Sequence, residues 1–212
     1  MTKKAVVVDS SRIKKHSHND DKKGPVIYFM QRDQRVHDNW ALLYAQQKAE
    51  ELNESLAVVF CIDSDWYPKT LRHYDFMIKG LEQIEIELKK YKIPFYLLIG
   101  KPDKELYDFV EKYKIGSVIT DFNPLKYYQK ILKNICEKVS CSVYEVDAHN
   151  IIPCWITSQK QEYAARTIRS KIHKHLTTYL IDFPKISKKS IEWDYAIPAI
   201  AWKGLQKKNR FR

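Results

Sequence analysis

Gln31-Arg32-Asp33-Gln34-Arg35-Val36-His37-Asp38-Asn39-Trp40 places two arginines and two aspartates within seven residues, directly after the apolar run Val26-Ile27-Tyr28-Phe29-Met30. Two readings fit this density of charge. In one, Asp38 caps the helix that follows and Arg35 pairs with Asp33 or Asp38 to fix a turn. In the other, the turn shapes the mouth of a ligand crevice. A second polar group, Asp121-Phe122-Asn123, follows another apolar run, and a third lies between Asp147 and Ile172, with His149, Asn150, Trp155, Arg166 and Arg169. In that third stretch His149 and Asn150 can satisfy local backbone groups and Trp155 can be core, or all three can form a functional surface.

Other chemistries lack their residues. Only five glycines occur, and neither GxGxxG nor GxxxxGK[ST] is present, so no dinucleotide or P-loop phosphate cradle is encoded. The seven histidines give no HExxH, and His173-Lys174-His175 is too close to set both rings on one helical face. Cys61, Cys136, Cys141 and Cys154 form no CxxC pair and read as free, mostly buried thiols of a reducing, intracellular compartment.

The polar groups need elements to hold them. Continuously apolar runs at 26–30, 56–62, 94–99, 117–120 and 142–146 read as parallel strands covered on both faces. Helical patterns at 39–52, 74–91, 104–113 and 124–139 lie between or beside them. Alternating strands and helices predict an α/β fold: a doubly wound, five-stranded, mainly parallel sheet over residues 25–150, with right-handed crossovers. In such sheets ligands bind beyond the carboxyl ends of the strands, where strand order reverses. Residues 31–38 and 121–123 both fall there. Residues 1–24, ending in Gly24-Pro25, read as a basic, flexible lead-in, and residues 151–212 as a helical, basic extension.

Charge divides the chain. Of a formal +11, residues 1–24 hold seven basic and three acidic groups and residues 160–212 thirteen and four, leaving the middle slightly acidic. A basic groove in the folded body is therefore not expected. Lys185, Lys188, Lys189, Lys207, Lys208, Arg210 and Arg212 read as a solvated linker, with nucleic-acid binding through these tails as the competing function. No apolar run approaches the ~18 residues that span a bilayer.

The charged turn resembles the Arg-Asp-x-Arg-hydrophobic-x-Asp-Asn signature of the photolyase/cryptochrome superfamily, and Arg32-Asp33-Gln34-Arg35-Val36 with Asp38-Asn39-Trp40-Ala41-Leu42 is similar to its class II branch. Asp75–Leu81, Asp121–Leu125, Val146–Trp155 and Lys160–Ile172 agree with further segments of that family, in order. Lys126 stands where the family has Arg and Ser170 where it has Pro, and Tyr-Phe-Met replaces Tyr-Trp-Met.

The resemblance implies the N-terminal α/β half of an enzyme that splits cyclobutane pyrimidine dimers in damaged DNA with light. In this family that half carries an antenna pigment, a deazaflavin or a folate, and a helical C-terminal domain holds FAD. The chain stops about where that domain would begin, so it is expected to be silent without an FAD-binding partner. By position, Gln31, Arg32, Asp33, Asp121 and Phe122 are the pigment candidates. Arg35, Asp38, Asn39 and Trp40 form the structural turn, and His149, Asn150, Trp155, Arg166 and Arg169 an interdomain surface. The competing reading from another class is a stand-alone α/β module that binds a nucleotide or flavin-like ligand.

Overall fold

The computed structural model describes residues 8–63, 71–188 and 191–207. Six strands, β1 (Ile13–Lys15), β2 (Val26–Met30), β3 (Leu56–Asp63), β4 (Phe95–Gly100), β5 (Ser117–Asp121) and β6 (Ser142–Val146), form one sheet in the order β1-β6-β5-β2-β3-β4. Five of them pair in parallel and β1 pairs antiparallel with β6. The helices are α1 (Trp40–Leu52), α2 (Leu71–Lys90), α3 (Pro102–Tyr113), α4 (Lys126–Lys138), α5 (Cys154–Thr157), α6 (Ala165–Tyr179) and α7 (Trp202–Lys207).

Alternation along each strand divides the core into two layers. Tyr28, Met30, Val58, Phe60 and Ile119 point toward α1 and α2, whereas Ile27, Phe29, Val59, Val118 and Val143 point toward α3 and α4. The chain runs β2-β3-β4 outward, then returns to the other side of β2 for β5 and β6. Strand order therefore reverses between β2 and β5, which places residues 31–39 and 122–125 side by side at the crevice.

Four expectations need correction. The sheet has six strands, because the lead-in supplies β1, with Ile13 opposite Val146 and Lys15 opposite Tyr144. Residues 8–24 are accordingly not a flexible tail. β1 covers the edge of β6, an edge that would otherwise expose unpaired backbone groups. Its three residues, two of them lysine, carry no apolar alternation from which a strand is readable. The arm returns through a tight crossing: a Cβ on Gly116 would lie 2.2 Å from the Lys22 carbonyl oxygen.

Asp38 does not cap α1. It sits at φ 53°, and the cap is Asn39, whose side chain accepts from the amides of Ala41 and Leu42. Nor is the described part of the extension a solvated linker. Phe183 lies on Trp40 at 4.5 Å between ring centroids, Trp193 Nε1 donates to Tyr96 Oη at 2.8 Å, and Trp202 is buried against Phe95. Lys189, Lys208, Arg210 and Arg212 lie outside the described residues. Of the four thiols, Cys61 and Cys141 are buried, and Cys136 and Cys154 only partly so. Among the described residues no helix is long and apolar enough to cross a membrane.

Candidate functional site

At the reversal point the turn after β2 is stapled to the end of β5. Asp121 is buried, and its Oδ1 accepts from the Gln31 amide and from Tyr28 Oη, both at 2.9 Å. Its Oδ2 accepts from the amides of Arg32 at 2.6 Å and Asp33 at 3.0 Å. Burial dominates this carboxyl and raises its pKa, and Asp33 adds to the rise, while the three backbone N–H groups pull it back. With four donors in place, the carboxylate serves the fold rather than a ligand.

Asn39 holds the same turn from beneath. Its Nδ2 donates to the carbonyls of Asp33 at 3.1 Å and Arg35 at 3.0 Å, and to Tyr28 Oη at 3.2 Å. Trp40, the first residue of α1, is buried, and Arg35 Nη2 stands 3.6 Å from Asp33 Oδ1. In this turn Arg35 stands beside Asp33, Asn39 rather than Asp38 caps α1, and Trp40 is part of the core.

Asp33 faces the other way as well. Its Oδ1 lies 3.1 Å from His149 Nδ1, and its buried Oδ2 has no hydrogen-bond partner. The turn after β2 is thus joined to the segment after β6. Asp147, buried at that segment's start, accepts from the Asn150 amide at 3.1 Å, from Asn150 Nδ2 at 3.0 Å and from the Cys154 amide at 2.7 Å. This carboxylate shapes the loop that leads to Trp155.

Beyond that loop opens a groove of about 1000 Å³. Phe122 and Trp155 meet in it edge to face, with centroids 5.5 Å apart, and Lys14 Nζ lies 4.1 Å from the Trp155 ring centroid. His149 and Asn150 line one end, and Ile168, Ile172 and Leu176 of α6 form the far wall. These three recur every four residues, so they share one helical face. Arg166 and Arg169 are exposed on α6 and do not line the groove.

The structure therefore separates the five pigment candidates. Phe122 lines the open groove. Gln31, Arg32, Asp33 and Asp121 form the stapled turn, where the adjoining void, between Phe29, Cys61, Asp63 and Tyr128, is about 10 Å³. That is room for one water, not for a tricyclic ring. The buried Gln31 Oε1 borders this void without a hydrogen-bond partner, while Gln31 Nε2 donates to Thr120 Oγ1 at 2.9 Å.

Sequence reasoning missed Asp147, Lys14 and Arg12. Asp147 lay inside a quoted motif, and a lone carboxylate followed by Asn three residues later is a readable loop signal. Lys14 and Arg12 carried no signal, because Trp155, the partner of Lys14, and the carbonyls that Arg12 donates to lie more than 130 residues away.

Comparison with known proteins agrees with this architecture. The family model described as DNA photolyase matches residues 26–188. The deoxyribodipyrimidine photo-lyase of Potorous tridactylus is 46% identical over 176 residues, 82% of this chain and 33% of that protein. The Arabidopsis thaliana protein of the same name is 38% identical over 200 residues, 88% of this chain and 40% of that one. The chain thus spans well under half the length of these relatives.

Among solved structures, an archaeal photolyase from Sulfolobus tokodaii, described with two FAD molecules and a novel light-harvesting cofactor, superposes with TM-score 0.62 at 17% identity, over 87% of this chain and 42% of that chain. A Synechocystis cryptochrome superposes with TM-score 0.59 at 14% identity, over 71% of this chain and 33% of that chain. These distant structures speak for the fold alone. The match over residues 26–188, the identity to the photo-lyases and the reversal-point turn held by Asp121 and Asn39 lead to one conclusion: the chain belongs to the DNA photolyase family, and it corresponds to that family's N-terminal α/β domain.

Proposed function

We propose that this domain serves light-dependent repair of cyclobutane pyrimidine dimers in damaged DNA, inside the cell, as the light-harvesting and scaffolding part of a class II photolyase. FAD and the lesion would be held by a helical flavin-binding domain against which this one docks. A pigment of the deazaflavin or folate type, when bound, would absorb near-ultraviolet to blue light and pass the excitation to the flavin.

The observation that carries the reading is the groove. It lies at the carboxyl ends of the strands and presents two crossed aromatic rings, one of them under a lysine. Apolar and aromatic walls with few, placed polar groups suit a planar, partly anionic ligand. In this arrangement Phe122 and Trp155 supply ring contacts, and Lys14 supplies positive charge. Gln31, Arg32, Asp33 and Asp121 keep the neighbouring turn rigid, and the Asp33–His149 contact fixes the groove's near end. Asn150, Arg166 and Arg169 extend the same surface toward the flavin domain.

The test is an absorption and fluorescence spectrum of the chain purified from its native source, followed by mixing with a separately prepared flavin-binding domain. A bound near-ultraviolet or blue band, together with restored dimer repair under light, is the expected outcome. A colourless chain that forms no complex and restores no repair rejects the proposal.

A further inference from the structure

The lead-in that supplies β1 also builds the groove, although it precedes the region the family model matches. Arg12 is 1% exposed, and its guanidinium lies between the rings of Trp40, at 4.9 Å, and Tyr179, at 5.3 Å. Its Nη1 donates to the carbonyls of Asp147 at 3.2 Å and Asn150 at 2.9 Å, and its Nη2 donates to the carbonyl of Ile151. One side chain thus joins the start of α1, the loop before Trp155 and the end of α6. Ser11 repeats the connection: its carbonyl accepts from Trp155 Nε1 at 2.7 Å, and its hydroxyl lies 2.7 Å from Tyr179 Oη.

We propose that residues 8–17 are a strap that sets the groove, with Arg12 as the positioning residue for Trp155 and for the foot of α6. The chemistry requires arginine. A planar guanidinium can stack between two rings while fanning its N–H groups into three carbonyls, which a lysine ammonium cannot do. α6 needs such a fastening, because Tyr179 is its single buried residue. Without Arg12, three carbonyls of one loop lose their donor at once, and the loop that carries Trp155 is left with the Asp147 carboxylate, the Ser11 carbonyl and the Asp33–His149 contact. The proposal rests on the groove being the working face of the domain, but its test does not use a pigment or a partner.

The chain is labelled with 5-fluorotryptophan, and the Trp155 fluorine resonance is assigned with Trp155→Phe. Hydrogen exchange is followed in parallel over residues 147–179 and over β2 to β5. Arg12→Met is expected to shift or broaden the Trp155 signal. It is also expected to speed exchange in 147–179 at least about tenfold while β2 to β5 stay protected. Arg12→Lys should not restore the native signal.

An unmoved Trp155 resonance, or exchange raised equally throughout the sheet, overturns the proposal. If Arg12→Met does not fold, Tyr179→Phe removes only the contact with Ser11 Oγ. Faster exchange confined to α6 then supports the strap, and unchanged exchange refutes it. A colourless chain without a docking partner would defeat the function proposed above and leave these readouts standing.

Discussion

Replacement of Asn39 by alanine isolates what holds the reversal-point turn. Asn39 is fully buried: its Oδ1 accepts from the Ala41 and Leu42 amides, and the two N–H groups of Nδ2 are shared among three acceptors, the Asp33 and Arg35 carbonyls and Tyr28 Oη. Loss of an N-cap costs about 1 kcal/mol. The Arg35 carbonyl, left without its donor, adds about 1 kcal/mol or more, whereas the Asp33 carbonyl keeps the Arg35 amide at 2.9 Å and loses only a second bond. The sum is about 2–3 kcal/mol, a large share of the 5–15 kcal/mol typical of a folded domain.

With a urea slope of about 2.5 kcal/mol/M, the unfolding midpoint should fall by roughly 1 M. Asn39→Ser keeps an oxygen for the cap and removes the donors, so it should recover only about 1 kcal/mol of that loss. Circular dichroism against urea for the three proteins gives the comparison. A midpoint lowered by under about 0.4 M in Asn39→Ala refutes the accounting, since it would mean that water or neighbouring groups replace the bonds of the Asn39 side chain. A serine variant as stable as the original would show that the cap alone matters and that the donors to the turn do not.

Asp21 offers a pH test. Burial raises its pKa, but the hydroxyl of Ser142, the charge of Lys48 and the phenol of Tyr144 outweigh that, so the carboxyl lies below its ordinary 3.8. A depressed carboxyl contributes stability that is present above pH 3.8 and lost as pH falls through its folded value, so Ser142→Ala should lower stability above about pH 4, and the gap to the unaltered protein should close as pH falls below it. A carbon-detected titration that finds Asp21 at or above its ordinary value removes the basis for this.

Gly116→Ala should weaken folding by more than about 2 kcal/mol, because the new methyl meets backbone oxygens of Lys22 and Gly24 at 2.2 and 2.7 Å; a neutral substitution in thermal melts contradicts so close a crossing. Burial pushes the thiols of Cys136, Cys141 and Cys154 up to about 11, and that of Cys61 higher still. At pH 8 iodoacetamide should therefore label all four at least about tenfold more slowly than free cysteine, and mass spectrometry showing rapid modification of any one would contradict its burial.

Local pattern determined the scaffold. The runs 26–30 and 142–146 are strands with the bounds that continuous apolarity indicates, and α1 and α4 begin and end within two residues of their periodic stretches. Short-range motifs likewise marked the charged turn, and its resemblance to photolyases pointed to the family. Tertiary structure decided the division of labour among those marked residues.

Whether Asp121 faces a ligand or three backbone amides depends on which strand lies beside β2, and the residues around 121 do not record that neighbour. Asp38 and Asn39 are equally good caps by type. The left-handed turn at Asp38 and the carbonyls waiting for an amide donor chose Asn39. The strap was invisible for the same reason. β1 is three residues long, and Arg12 reads as surface charge until Trp40, Tyr179 and the carbonyls of 147–151 close around it. Apolar periodicity is written residue by residue, whereas the worth of a buried polar group is set by partners that only the folded chain brings within hydrogen-bond distance.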